Sequence, residues 1–163
     1  MKLDPFWSAE DYKTLSYESS YFRDSVQLNA WKDAGHNIEQ TLIQISQLNE
    51  YSDVHFKILS YFPNIKFTGL CFHKLTPGNY LPTHIDRYDY FMQKNNITDV
   101  DKIMRYVVFL EDWNDGQFLT VADKVYTQWT AGDVIGWSGS TPHSAVNLGM
   151  RDRYTLQVTG VIE

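Results

Sequence analysis

The sequence predicts a mainly β protein, an antiparallel sandwich or barrel with helices covering it from the N-terminal side. Two observations point there. From about residue 65 onward, short segments rich in β-branched and aromatic residues recur: IKFTGLCFHKL, RYVVFLE, QFLTVA, VYTQW, DVIGW, HSAVNL and RYTLQVTGVI. Turn signals separate them, at Pro77-Gly78, Asn114-Asp115-Gly116, Ala131-Gly132 and Leu148-Gly149. The first third of the chain has a different, helical texture, with no linker, repeat or low-complexity stretch between the two. The expectation is one domain over residues 1–163, with 1–64 a largely helical cover and 65–163 the β core.

Within the cover, SAEDYKTLS predicts a short helix, with Ser8 as its N-cap and acidic residues in the first turn. In HNIEQTLIQISQLN, Ile38, Leu42, Ile45 and Leu48 step by 4, 3 and 3, the stripe of an amphipathic helix. Neither carries obvious chemistry, so both read as lids on one sheet face. The one long polar connection is 87–103, RYDYFMQKNNITDVDKI; its length and its Tyr88, Tyr90 and Phe91 make it a candidate substrate lid, or else a surface loop pinned by those aromatics.

Composition narrows the function classes. The formal charge is −6, which argues against a nucleic-acid backbone or an anionic membrane as the main partner. No run of 18 apolar residues is present, and MKLDPFWSAEDYK lacks the apolar core of a signal peptide. Cys71 is the single cysteine, which excludes an internal disulfide and any multi-thiolate metal site; it reads as a buried strand residue. A reduced, cytoplasmic setting is expected.

Chemistry enters with His84 and Asp86. One such His-x-Asp pair is expected by chance about 0.4 times in a chain of this composition, so the pair alone decides nothing. His143, at the start of a predicted strand, and Arg153, ten residues on, change that. A chance His and Arg at that spacing is expected about 0.15 times, and the combination about 0.06 times. Side chains at i and i+2 of an extended segment share a face, so His84 and Asp86 can offer an imidazole and a carboxylate to one ion. His143 from a neighbouring strand would complete a two-histidine, one-carboxylate set, which suits non-haem Fe(II) and leaves positions open for a chelating co-substrate and dioxygen. Arg153 is a permanently charged fork suited to a carboxylate at the co-substrate's far end, and Thr155 lies on the same strand face. A buried arginine without a counter-anion is costly, so such a site asks for an anionic ligand.

At these residues the sequence resembles the Fe(II)- and 2-oxoglutarate-dependent oxygenases, over about residues 65–162. The resemblance rests on PGNYLPTHID, RYVVFLEDWNDGQF, AGDVIGW and PHSAVNLGMRDRYTL, and is nearest to small prolyl-4-hydroxylase-like members. It implies a double-stranded β-helix (jelly-roll, cupin-like) core. It implies His84, Asp86 and His143 as iron ligands, and Arg153 with Thr155 as the Arg-x-Ser/Thr element that holds the 2-oxoglutarate C5 carboxylate. The activity implied is hydroxylation of a protein side chain, amino acid or small metabolite, with dioxygen consumed and succinate and CO2 as co-products. Halogenating members have lost the carboxylate ligand, so Asp86 favours hydroxylation. Leu81 stands where the subgroup often has a tyrosine three residues before the first histidine, with Tyr80 one place earlier; Gly116 is single where many members have a glycine pair.

The remaining candidates read as follows. Tyr80 either hydrogen-bonds the co-substrate or packs. Arg105 opens a strand and either faces the interior beside the co-substrate or lies at an edge. Arg151 reads as a solvated turn residue. Trp137 reads as core, His73 as a satisfied core histidine, and His36 and His55 as structural or exposed. Two rival functions use the same barrel: a cupin-like isomerase or dioxygenase without 2-oxoglutarate, and a non-catalytic binding module. Arg153 discriminates against the first, and the intact triad against the second.

Overall fold

A computed structural model of the chain describes residues 1–162. Ten strands form two antiparallel sheets. They are β1 (Glu18–Tyr21), β2 (Leu42–Gln47), β3 (Ile65–Leu75), β4 (Tyr80–His84) and β5 (Ile103–Phe109), then β6 (Gln117–Val121), β7 (Lys124–Tyr126), β8 (Val134–Ser138), β9 (His143–Asn147) and β10 (Arg153–Ile162). One sheet has six strands in the order β1-β2-β3-β10-β5-β8, the other four in the order β4-β9-β6-β7. The result is a mainly β jelly-roll. Four helices, α1 (Glu10–Lys13), α2 (Ser25–Asp33), α3 (Asp53–Leu59) and α4 (Asp89–Asn95), join or cover the strands. Among the described residues no helix is long and apolar enough to cross a membrane.

Alternation along the strands sorts the side chains into two compartments. On β10, Tyr154, Leu156 and Val158 face the helical side and pack with Leu3, Tyr12, Ile58 and Phe62; Leu156 and Val158 are fully buried. The intervening Arg153, Thr155 and Gln157 face the other sheet. β5 divides the same way, with Val108 in the outer cluster and Val107 and Phe109 packed against Leu119, Val121 and Trp129 between the sheets. β5 packs apolar residues on both faces, which is why RYVVFLE reads as a near-continuous apolar run, whereas β10 alternates apolar residues with the inward polar row of Arg153, Thr155 and Gln157.

The seven strands expected after residue 65 are present, and the glycines of three expected turns, Gly78, Gly116 and Gly132, have φ near +85°. Gly132 also needs its missing Cβ: a methyl there would lie 2.0 Å from the Leu3 carbonyl oxygen, where the N-terminal segment crosses and donates Leu3 N–H to Gly132.

The N-terminal third departs from the helical expectation. The stretch from Ile38 to Leu48 is a 3-10 turn followed by strand β2. The spacing that suggests a helix coexists with a strand period in which Ile43, Ile45 and Gln47 all face the cavity, and pairing with β3 makes that period win. The first helix is a single turn capped at Ala9; Ser8 instead donates its N–H and hydroxyl to Asp11. The 87–103 connection is not a loop throughout, since it holds α4 and a 3-10 turn at Val100–Lys102.

Candidate active site

Between the sheets lies a cavity of about 270 Å³. His84 ends β4 and His143 begins β9, and the two are cross-strand partners. A register shift between Leu81 and His84 re-phases β4, so that both of these residues line the cavity although they are three apart. One ligand atom from each of His84, Asp86 and His143 lies within 4.8 Å of the others. Asp86 sits 3.6 Å from His84 Nε2 through Oδ1 and 3.2 Å from His143 Nε2 through Oδ2.

Each imidazole is oriented through its other nitrogen. His84 Nδ1 lies 2.7 Å from the Pro82 carbonyl oxygen and His143 Nδ1 lies 3.0 Å from that of Thr141. A carbonyl only accepts, so both Nδ1 atoms carry the proton and both Nε2 lone pairs point at the Asp86 carboxylate. Such a donor set could hold a divalent metal.

The turn carrying Asp86 is held from α2, an element without a signal in the sequence pattern. The Gln27 side-chain amide donates to the Ile85 carbonyl and accepts the Ile85 N–H, both at 3.1 Å. Trp31 Nε1 donates to the Thr83 carbonyl, and the rings of Phe22 and Trp31 pack edge-on against His84. The cover is therefore part of the site's framework.

Charge inside the cavity is unbalanced. Arg105 faces inward, forms a close ion pair with Asp86 Oδ2, and lies 5.1 Å over the Tyr88 ring. Burial would raise the Asp86 carboxyl; the Arg105 guanidinium beside it outweighs burial and holds the group well below the usual carboxylate range. Arg153 is 6% exposed, donates from Nη1 to the Phe118 carbonyl at 2.9 Å, and has no carboxylate partner among the described residues. Burial pushes its guanidinium down to about 10, still charged at neutral pH. Thr155 is two residues on, buried, and lines the same cavity.

Three buried donor atoms on residues that line the cavity have no hydrogen-bond partner among the described residues: Arg105 Nε, Trp137 Nε1 and Arg153 Nε. Native interiors rarely leave such atoms unpaired. Three unpaired donors around one cavity suit an acceptor-rich anion.

The structure does not bring Tyr80 to the cavity. Its hydroxyl lies 3.3 Å from His36 Nδ1 and its ring packs on His36. Arg151 also stays outside, and His55 caps α3 through Ser52. Two residues read as plain core line the cavity. Trp137 packs its ring on His143 at 4.8 Å, in register with Arg105 on the adjacent strand. His73 faces inward opposite Thr155, and its ring forms no hydrogen bond among the described residues. Burial, reinforced by Arg105, depresses it to about 3. Period-two alternation from Arg153 and Arg105 would have found both, since each is a cross-strand partner of an inward residue. Nothing in the sequence marks Gln27.

Fold and site together define a jelly-roll protein with a metal-capable His-Asp-His cluster and a buried cation. A family model for aspartyl/asparaginyl β-hydroxylase matches residues 9–161, and the chain belongs to that family. Among solved structures, a Pseudomonas putida prolyl-4-hydroxylase is similar over 94% of this chain and 96% of its own, with 15% identity and a TM-score of 0.56. A predicted oxalate decarboxylase from Thermotoga maritima is similar over 92% and 96%, with 15% identity and a TM-score of 0.52. A cupin-2 domain from Rhodospirillum rubrum is similar over 97% and 77%, with 10% identity and a TM-score of 0.51. At these identities the likeness is one of fold. No curated protein matches the chain significantly in sequence.

Proposed function

We propose that this hydroxylase-family protein is an Fe(II)- and 2-oxoglutarate-dependent dioxygenase that hydroxylates a small molecule or a protein side chain. The observation that carries the reading is the pairing, in one small cavity, of a preoriented His84–Asp86–His143 set with a buried, unpaired Arg153. The donor set fits Fe(II): two imidazoles and one carboxylate, leaving open coordination positions. The unpaired guanidinium fits the distal carboxylate of 2-oxoglutarate. A cupin-like enzyme without that co-substrate would leave the Arg153 charge uncompensated.

In this reading His84 and His143 ligate through Nε2 and Asp86 through its carboxylate. The iron, when bound, supplies dioxygen activation coupled to decarboxylation of 2-oxoglutarate, with one oxygen atom delivered to a substrate C–H and the other to succinate. The chain's own groups do the rest. Arg153 and Thr155 fix the distal carboxylate, and their neighbour Trp129, whose ring centroid lies 6.0 Å from the guanidinium, stacks on that cation. Arg105 holds Asp86 against the ligand histidines. Leu81, Leu119 and Ala145 give the cavity an apolar wall that limits water beside the reacting groups.

The test is an anaerobic titration of metal-free protein with Fe(II) and then 2-oxoglutarate. The expected result is a weak visible absorption band that needs both components and is absent from His84→Ala. Iron binding without the band would favour the cupin-like alternative. No metal binding would reject the reading altogether.

A further inference from the structure

A groove of about 680 Å³ adjoins the cavity and shares Gln47, Cys71, Arg105 and Gln157 with it. At about 270 Å³ the cavity alone falls below the roughly 300–1,000 Å³ usual for a ligand pocket, so a co-substrate and the reacting end of a substrate fill it. One wall of the groove is the end of β2 and the start of β3; the other is α4 with Tyr88, Tyr90 and Phe91.

Phe67 is the feature that needs explaining. It has φ +54°, a conformation that a bulky side chain rarely adopts, and it is 54% exposed. The β3–β10 register shifts between the Thr159–Gly69 and Val161–Lys66 pairs, so Phe67 and Thr68 together oppose one residue, Gly160. This bulge swings the ring out of the core and onto the groove rim. Glycine or asparagine would fit that backbone with less strain, so a strained, exposed phenylalanine beside a functional cavity points to use. Tyr90 on the α4 wall is 74% exposed, so aromatic surface stands on both sides.

Charge adds a second property. The groove lining contains Arg87, Lys94 and Arg105 and no carboxylate, in a chain of net charge −6. Arg87 is paired with Asp24 and Asp89, and Arg105 with Asp86. Lys94 faces only the Tyr90 ring among the described residues, 6.0 Å from its centroid. It is the cation free to meet a ligand.

We infer that this groove is the subsite for the body of the substrate, and that the substrate is an anion with a flat apolar or aromatic body, its ring on Phe67 and its charge toward Lys94. The inference deepens the hydroxylase reading by naming a substrate class, but it is tested without iron or turnover. Metal-free protein saturated with 2-oxoglutarate is titrated with 2-naphthylacetate and with uncharged 2-naphthylmethanol. The expected result is one bound naphthylacetate, about tenfold tighter than the alcohol. Phe67→Asn weakens both probes about tenfold while Tm stays level or rises, because asparagine tolerates the left-handed backbone. Lys94→Gln weakens the acetate alone, and Phe56→Ala, at an exposed phenylalanine outside the groove, changes neither. The inference is overturned if the wild type binds neither probe, if Phe67→Asn binds both as tightly as wild type, if Phe56→Ala weakens them equally, or if 2-oxoglutarate displaces the probe. A missing iron–2-oxoglutarate band alongside the expected probe binding would reject the hydroxylase reading and leave the groove standing.

Discussion

Gln27 and Ile85, 58 residues apart in sequence, exchange two hydrogen bonds of 3.1 Å, the side-chain amide of one reading both backbone groups of the other. Ile85 is the residue between His84 and Asp86, so Gln27 sets the geometry of the candidate ligand pair through the backbone between them. Gln27→Ala removes that hold. Ile85 is exposed, and water replaces the lost partners, so unfolding stability falls by no more than about 1 kcal/mol. Outer-shell supports of metal ligands are worth about 10–100-fold in affinity, and a loss of about tenfold in divalent-metal affinity is expected here. Metal titration beside urea denaturation separates the two. Equal, small effects on both would reduce Gln27 to an ordinary surface contact.

His73 makes the fold acid-sensitive. Its imidazole is depressed to about 3 in the folded state by burial, with Arg105 adding to the effect, against an ordinary value of 6.5. Below pH 6.5 the unfolded chain takes up a proton that the folded chain refuses. Stability is therefore fully present above that pH and is lost as pH falls from about 6.5 toward 3, at no more than about 1.4 kcal/mol per pH unit. His55, depressed by its own burial, contributes in the same direction. His73→Gln should flatten the slope of urea-unfolding stability between pH 6.5 and 4. A slope unchanged in that variant would assign the acid sensitivity elsewhere.

The legible parts of this protein are those where local chemistry and tertiary demand agree. Strands β5 and β10 are buried on both faces, so their β-branched runs have one reading. The spacing of His84, Asp86, His143 and Arg153 is readable because a metal site with an anion clamp would call for those types, and the structure brings one ligand atom from each of the first three within 4.8 Å of the others and seats Arg153 in the same cavity. β2 is not legible in that way. Ile38, Leu42, Ile45 and Leu48 satisfy a helical stripe while Ile43, Ile45 and Gln47 satisfy a strand, and only the partner β3 decides. Tyr80 sits near the candidate ligand pair in sequence, yet alternation turns it to His36 while Leu81 takes the inward place. Gln27 and Phe67 could not be read at all. One acts through backbone groups 58 residues away, and the other through a bulge that depends on the β10 register.

Arg153 carries the sharpest distinction between the two halves of the site. Its Nη1 is occupied by the Phe118 carbonyl, its Nε is free, and the strand holds it at the opposite end of the row that runs through Thr155 and Gln157. Arg153→Lys keeps a charge but loses the planar fork, and the shorter donor set cannot bond both a carboxylate and the Phe118 carbonyl. Arg153→Met removes the charge while preserving most of the volume and, by removing an uncompensated buried cation, should leave the unfolding stability of the ligand-free protein unchanged or higher. Since charge-assisted bidentate bonds contribute about 1.5–3 kcal/mol, 2-oxoglutarate affinity should fall by about 10–100-fold in Arg153→Met and by less in Arg153→Lys. Fe(II) affinity should stay within about twofold in both, because Arg153 lies outside the ligand set. Calorimetric titration of each ligand in turn reads this directly. Parallel losses of iron and 2-oxoglutarate binding would mean that Arg153 supports the cavity as a whole, whereas loss confined to 2-oxoglutarate assigns it the distal carboxylate.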